Sequence, residues 1–336
     1  MTKIRPAQVF PIGVLLAGLP AMASAQREAG DPITALVKRD SITVLVTDSG
    51  LGGLSVVADI EVRARDSRFY RSLTIVFANA LPEASRGYNK MKSVEEKIRV
   101  FQDALAGMIR WYRPDIILVA CNTLSVLIPG AHFAKEIPVL GIVEPGVVML
   151  EEALKKDSNT TAIIFGTETT IKAGTHRLML LERGIRPERI VEQACPGLAG
   201  EIESDAGSDL VAASVELFAG EAVGRMERKT NTIVAGLCCT HYGYCSDRFE
   251  AALQPFAPGR VRVVNPNVRM SDVLFPADKK AVAGKTIVSV RVVSRALISD
   301  AEVRSITNLL EPVSRVTAAA LREYEQKRDL FPFEDR

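Results

Sequence analysis

Two apolar segments of this chain each end in a cysteine that is followed by small polar residues. Residues 115–120 (Asp-Ile-Ile-Leu-Val-Ala) lead into Cys-Asn-Thr at 121–123, and residues 231–235 (Asn-Thr-Ile-Val-Ala) lead into Gly-Leu-Cys-Cys-Thr-His-Tyr at 236–242. Short apolar runs bounded by turn signals are typical of buried strands. In open parallel sheets, ligands bind at the carboxyl ends of the strands. We therefore predict that both cysteines lie at ligand-binding strand ends.

The rest of the chain alternates between strand and helix patterns, which is typical of α/β folds with mostly parallel sheets. Further strands are predicted at 41–47, 73–78, 161–165, 190–193, 261–265 and 286–294, and helices at 94–112, 147–156, 210–226, 301–310 and 316–327. The length favours two α/β lobes with the active site in the cleft between them. We predict a first lobe from residues 41–143 plus 246–336, a second lobe from 144–245, and an N-terminal extension at 26–40.

The first 25 residues have the features of a secretory signal peptide. Lys3 and Arg5 precede an apolar run at 9–19, and Ala-Ser-Ala at 23–25 provides a cleavage site. The apolar run is too short to favour a transmembrane span. We therefore expect cleavage after Ala25, a mature chain without a membrane span, and a periplasmic or secreted location.

Charge and cysteine usage exclude two classes of protein. The chain has 42 Lys and Arg against 40 Asp and Glu, and the excess lies in the predicted signal peptide, so no electrostatic footprint for nucleic acid remains. The five cysteines are odd in number and irregularly spaced, unlike a secreted disulfide scaffold. At least one thiol should therefore be free or paired with another molecule.

Six motifs at predicted strand ends, taken in order, resemble those of one enzyme family. The chain resembles glutamate racemase, and more broadly the cofactor-independent aspartate/glutamate racemases, over about residues 42–310. The resemblance rests on Asp48-Ser49-Gly50, Ala120-Cys121-Asn122-Thr123, Val143-Glu144-Pro145-Gly146, Gly166-Thr167-x-x-Thr170, Ala194-Cys195-Pro196 and Cys239-Thr240-His241-Tyr242.

The resemblance implies inversion of an amino-acid α-carbon by two thiols, with no cofactor and no metal. One thiolate would remove the α-proton, and the opposite thiol would return a proton to the other face. The implied catalytic residues are Cys121, Cys239, Asp48, His241 and Glu203, the last placed only by its distance after the Ala-Cys-Pro motif. The implied substrate-binding residues are Ser49, Tyr88, Asn122, Thr123, Thr167, Thr170 and Thr240. The expected partner is a small amino acid, with a homodimer left open.

The chemistry of thiols adds a separate expectation. A free cysteine has a pKa of about 8.5, so a thiol that acts as a base near neutral pH needs a lowered pKa or a neighbouring base. A helix N-terminus after the strand is expected to lower it. Asp48 and His241 are candidates to accept or relay the proton. His132 and His176 lie in no such motif, and we predict ordinary structural roles for both.

Other interpretations stay open at this point. Residues 86–90 read Arg-Gly-Tyr-Asn-Lys where glutamate racemases usually have Arg-x-Pro-Tyr-Gly, and Asn79 stands where the family often has Asp. These departures motivate an alternative: an exported solute-binding or regulatory protein that keeps the cleft without turnover. A zinc site from the thiols and His241 lacks the usual C-x₂₋₄-C spacing. A single-thiol relative, such as a decarboxylase or a hydantoin racemase, is disfavoured by the second cysteine.

Overall fold

A computed structural model describes residues 32–132, 137–227 and 230–333. The predicted signal peptide and the first part of the predicted N-terminal extension lie outside these residues. Within them the strands are β1 Ser41–Asp48, β2 Ser72–Asn79, β3 Ile116–Val119, β4 Val139–Gly141, β5 Thr160–Gly166, β6 Ile190–Ala194, β7 Thr232–Cys238, β8 Arg260–Val264, β9 Ile287–Ser294 and β10 Glu325–Gln326.

The helices alternate with these strands along the chain. They are α1 Pro32–Val37, α2 Leu54–Ser67, α3 Val94–Tyr112, α4 Asn122–Ser125, α5 Val143–Lys156, α6 Glu168–Ala173, α7 Thr175–Glu182, α8 Leu198–Asp205, α9 Asp209–Gly224, α10 Ser246–Leu253, α11 Asn267–Met270, α12 Asp300–Leu310 and α13 Arg315–Arg322. Short 3₁₀ turns connect several of them, including Tyr88–Lys90 and Thr240–Cys245.

The strands form two sheets, and all neighbouring strands within each sheet are parallel. The first sheet has the order β10-β9-β2-β1-β3-β4, and the second has the order β6-β5-β7-β8. Each sheet is covered by apolar clusters on both faces, which requires helices on both sides. The predicted fold class, two α/β lobes with parallel sheets, is confirmed.

The sequence explains why the central strands are buried. All seven residues of β5 and all seven of β7 are buried, in keeping with near-continuous apolar runs between two layers of helices. Helix α3 begins after Ser93, whose hydroxyl accepts from the Glu96 N–H. The Ser-x-x-Glu sequence at 93–96 is that of a capping box, but the Glu96 carboxylate accepts from the Lys92 N–H, so the box is only half formed.

The structure departs from the sequence prediction at three places. Strand β8 pairs with β7, so the second sheet includes residues beyond the predicted return to the first lobe at Ser246. The predicted helix at 316–327 ends at Arg322, and residues 325–326 instead add a short strand beside β9. Helix α1 lies in the predicted extension, yet Leu36 is buried in the core of the first sheet. The residue limits of the two lobes remain a prediction.

No helix within the described ranges combines the length and the apolar character needed to cross a membrane.

Candidate active site

Each sheet has one place where the strand order reverses, and the cysteine motifs follow strands at those places. In the first sheet, β2 and β3 flank β1, so the reversal lies between β1, which ends at Asp48, and β3, which precedes Cys121. In the second sheet, β6 and β7 flank β5, which precedes Thr167, and β7 precedes Cys239. Chains leave such neighbouring strands in opposite directions, which opens a crevice at their carboxyl ends.

The two crevices open onto one cavity of about 460 Å³. This volume falls within the range of roughly 300–1,000 Å³ that is usual for small-molecule sites. The predicted site residues that line it are Asp48, Ser49, Tyr88, Cys121, Asn122, Thr123, Thr167, Glu203, Cys239, Thr240 and His241. The fold thus brings together eleven of the twelve side chains that the sequence singled out, and the twelfth, Thr170, lies directly behind them.

Cys121 is buried beside two polar residues from the end of β1. Its Sγ lies 3.2 Å from Ser49 Oγ. Burial, and next the negative charge of Asp48, raise the pKa of the Cys121 thiol well above its ordinary value, while the Ser49 hydroxyl opposes the rise. The N-terminus of the following helix lowers the Cys121 pKa, as expected, but its effect is too small to prevent the net rise. Helix α4 has only four residues, and its one contributing group, the Leu124 N–H, is outweighed by burial.

Cys239 has a different neighbour, the imidazole of His241. Cys239 Sγ lies 3.6 Å from His241 Nδ1, and Nε2 of the same ring lies 2.5 Å from Glu203 Oε1. Burial lowers the pKa of His241, but the Glu203 carboxylate and the Cys239 sulfur outweigh it and raise that pKa well above its ordinary value. An imidazolium here can donate to both neighbours.

The backbone of the turn after β1 offers His241 a second partner. The Gly52 N–H donates to Nε2 at 3.0 Å, and the Leu51 N–H donates to Glu203 Oε1 at 2.5 Å. Nε2 accepts from Gly52 only when it carries no proton, and it donates to Glu203 only when it does. The site can therefore hold the ring in either state. A Cβ at Gly52 would overlap Thr240 and His241, which explains the glycine.

Asp48 joins the two sheets. Its Oδ1 accepts from the Ser49 N–H at 2.6 Å, and its Oδ2 accepts from the Thr240 hydroxyl at 2.8 Å, a contact between residues 192 positions apart in sequence. The carboxylate is buried, and these bonds fix its orientation. Asp48 thus positions the turn after Cys239 as well as lying near Cys121.

Three buried threonine hydroxyls form a cluster between the lobes. Thr123 Oγ1 lies 2.7 Å from Thr167 Oγ1, and Thr170 Oγ1 lies 3.0 Å from Thr167 Oγ1 and 3.4 Å from Thr123 Oγ1. Thr167 also caps helix α6 by accepting from the Thr170 N–H. Thr170 is not part of the cavity wall, so its contact with a substrate would run through the other two hydroxyls.

Comparison with known proteins agrees with this arrangement. A family model described as Asp/Glu/hydantoin racemase matches residues 48–268. The glutamate racemase of Aquifex pyrophilus is 32% identical over 233 residues, which cover 67% of this chain and 79% of that protein. This chain belongs to the Asp/Glu/hydantoin racemase family. At the level of reaction class it is therefore a racemase, that is, an isomerase, and the glutamate racemase-like resemblance is confirmed.

Solved structures of two relatives share the fold of this racemase. The crystal structure of the Aquifex pyrophilus enzyme is 26% identical, with a TM-score of 0.56 over 82% of this chain and 97% of that one. The glutamate racemase isoform RacE1 of Bacillus anthracis is 22% identical, with a TM-score of 0.60 over 82% of this chain and 94% of that one. The second comparison bears on the fold alone.

Several residues of the racemase site were not identified from sequence. Cys195 lines the cavity, and so do Leu297 and Ile298 from the loop between β9 and α12, and Glu302 from the first turn of α12. The capping-box sequence at 299–302 could have predicted the start of α12. It gives no indication that this helix start lines the active site. His176, predicted to be ordinary, contacts Asn122, with Nε2 3.1 Å from Asn122 Oδ1.

Tyr88 lines the cavity, but its hydroxyl is already engaged. It donates to the Ala80 carbonyl at 3.2 Å, and the ring is buried. Asn79, next to Ala80 in sequence, accepts from the Leu81 N–H. In the altered loop at 86–90, Tyr88 therefore lines the cavity without offering a free hydroxyl.

All five cysteines are unpaired and buried. In the described part of the chain, no group of three or more His, Cys, Asp and Glu side chains is arranged to hold a metal ion.

Proposed function

We propose that this racemase inverts the α-carbon of a small amino acid through two thiol bases, Cys121 and Cys239, without a cofactor. The observation that carries the proposal is that these buried thiols come from different sheets and open onto one cavity. A single cavity with an acid–base group from each lobe allows a proton to leave one face of a carbon and arrive at the other.

The proposed reaction is balanced within the site. One sulfur, as thiolate, takes the α-proton, and the electron pair delocalises into the substrate carboxylate. The other sulfur, as thiol, gives its proton to the opposite face, so each turnover exchanges the states of the two sulfurs. Asp48 and Ser49 at Cys121, and His241 and Glu203 at Cys239, would move protons to restore them. General acid–base steps of this kind contribute about 10²–10⁴-fold each.

Stabilisation of the intermediate must come from donors near the substrate carboxylate. We assign this stabilising role mainly to Asn122, Thr123 and Thr240. Thr167 and Ser49 would be secondary donors. All five lie on the cavity wall. The substrate proposed is glutamate, aspartate or a related small acid, because the similar curated proteins carry the name glutamate racemase. Tyr88 would contribute its ring, not its hydroxyl.

The deciding experiment is deuterium uptake in D₂O by the purified protein with its thiols verified as reduced. We expect the α-hydrogen of both enantiomers of at least one acidic amino acid to exchange, with loss of optical activity. If no acidic or neutral amino acid exchanges, the two-thiol racemase is refuted. That result would favour a solute-binding or regulatory protein, in which Cys121→Ser would leave ligand affinity nearly intact.

We also propose that the protein is exported to the periplasm or secreted, and the support is the sequence of residues 1–25 alone. Fractionation of cells that express the full chain, with N-terminal sequencing of the product, would test it. A product that begins after Ala25 outside the cytoplasm is expected, and an intact N-terminus in the cytoplasm would contradict it. The homodimer also stays a prediction, which sedimentation can test.

A further inference from the structure

Only one of the two polar amide atoms of Asn122 has a hydrogen-bond partner among the described residues. It is 1% exposed and lies on the cavity wall directly after Cys121. Its Oδ1 lies 3.1 Å from His176 Nε2, whereas its Nδ2 has no hydrogen-bond partner among the described residues. A buried amide donor without a partner is unfavourable, and a ligand that accepts its hydrogen bond would offset that penalty.

The surroundings of His176 favour its neutral form. It is 1% exposed on helix α7, and burial lowers its pKa to about 4. No acidic side chain contributes to that shift. Helix α5 also passes close by, because a Cβ on Gly146 would lie 3.9 Å from His176 Nε2. A neutral imidazole carries its proton on only one nitrogen.

The position of that proton decides what Asn122 presents to the cavity. With the proton on Nε2, His176 donates to Oδ1 and leaves the NH₂ of Asn122 free to donate to a ligand. With the proton on Nδ1, Nε2 would accept from the NH₂, and the amide oxygen would face the substrate instead. Only the first arrangement suits an anion, because a carboxylate accepts hydrogen bonds and is repelled by a carbonyl oxygen.

We propose that His176 is a positioning residue, whose Nε2–H fixes the Asn122 amide so that its NH₂ donates to the substrate carboxylate. This inference rests on the proposed function, since it assigns the group that the NH₂ meets. It also explains why a histidine outside every motif lies within hydrogen-bond distance of the site.

A matched pair of variants tests the role. His176→Gln keeps a donor on a side chain of similar reach, and His176→Met has similar size without a donor. We expect kcat/KM to fall roughly 10–100-fold in the Met variant, the size of a lost hydrogen bond to a charged group, and to stay within several-fold in the Gln variant. The double variant Asn122→Ala with His176→Met should be no slower than Asn122→Ala alone. Equal losses in Gln and Met, or losses that multiply in the double variant, would overturn the proposal.

A measurement on the unmodified protein separates this inference from the proposed function. The chain has three histidines, so the ¹⁵N NMR signals of the imidazoles can be assigned with His132→Gln and His176→Gln, each of which removes one of them. We expect His176 to be neutral at pH 7 with its proton on Nε2. A proton on Nδ1, or an imidazolium, would refute the positioning role even if racemisation is observed. Conversely, absent α-proton exchange would refute the function whatever the tautomer.

Discussion

The two thiols of the site are surrounded by opposite kinds of neighbours. Cys239 faces an imidazole that is held by Glu203, whereas Cys121 faces a hydroxyl and lies near a buried carboxylate. A cation stabilises a thiolate and an anion destabilises it. Burial and the Asp48 charge therefore keep Cys121 in its thiol form.

Removal of the Ser49 hydroxyl should shift the pH dependence of racemisation upward. Ser49 lowers the Cys121 pKa, so Ser49→Ala should raise it and move the basic limb of kcat/KM, on which the Cys121 thiol loses its proton, to higher pH. Ser49→Thr keeps the hydroxyl and is the matched control. Asp48→Asn removes the charge that raises the same pKa and should move the limb the other way. A limb that stays fixed in Ser49→Ala would show that Cys121 does not set it.

Substitution of either thiol should abolish racemisation but not folding. Cys121→Ser and Cys239→Ser each replace a base by a far weaker one, so we expect losses of at least about 10²-fold, measured by optical rotation. Serine is smaller than cysteine by little, so circular dichroism should be unchanged. Cys238→Ser, one residue away and turned into the core cluster of the second sheet, is the control and should retain most of the activity. Comparable activity in all three variants would contradict the assignment.

At the scale of elements, helix α6 begins at a residue that both caps the helix and lines the site. Thr167 is its N-cap and also bonds to Thr123 from the other lobe. We expect Thr167→Ala to lower the free energy of unfolding by about 1 kcal/mol through the lost cap, and to raise KM through the lost cluster. Thr167→Ser keeps the hydroxyl, so its free energy of unfolding and its KM should stay close to those of the unmodified protein. Denaturant unfolding and steady-state kinetics measure the two effects. A Ser variant as impaired as Ala would show that the methyl group, not the hydroxyl, matters.

At the scale of the whole molecule, the C-terminal segment closes the first lobe behind the site. Leu330 and Phe331 are buried in one cluster with Phe101 and Met108 of α3. Arg295 connects this segment to the loop near Tyr88, because it donates to the carbonyls of Phe331 and Pro82. The wall of the cavity thus depends on a segment that lies far from it in sequence.

Loss of this packing should destabilise the fold. Leu330→Ala removes a fully buried side chain, and we expect the free energy of unfolding to fall by about 2–5 kcal/mol. Arg328→Ala, which is exposed two residues away, is the control and should change it by less than about 0.5 kcal/mol. The midpoint of denaturant unfolding measures both. Equal stability of the two variants would show that the C-terminal segment does not pack as described.

The sequence by itself determined the elements and the reaction class. Apolar runs between turn signals were enough to identify the buried strands, and parallel order placed the residues after β1, β3, β5 and β7 at strand ends, where sites form. The motifs at those ends then identified the family. Such features are local, since each depends on a few neighbouring residues and their periodicity.

Only the tertiary structure decided which of these residues touch. Thr240 reaches Asp48 across 192 positions, His241 reaches Glu203, and His176 reaches Asn122. The tertiary structure also placed β8 in the second sheet and buried Cys121, and this burial outweighs the helix N-terminus in its effect on the Cys121 pKa. Contacts between distant residues depend on how the two sheets pack, and local patterns do not encode that packing.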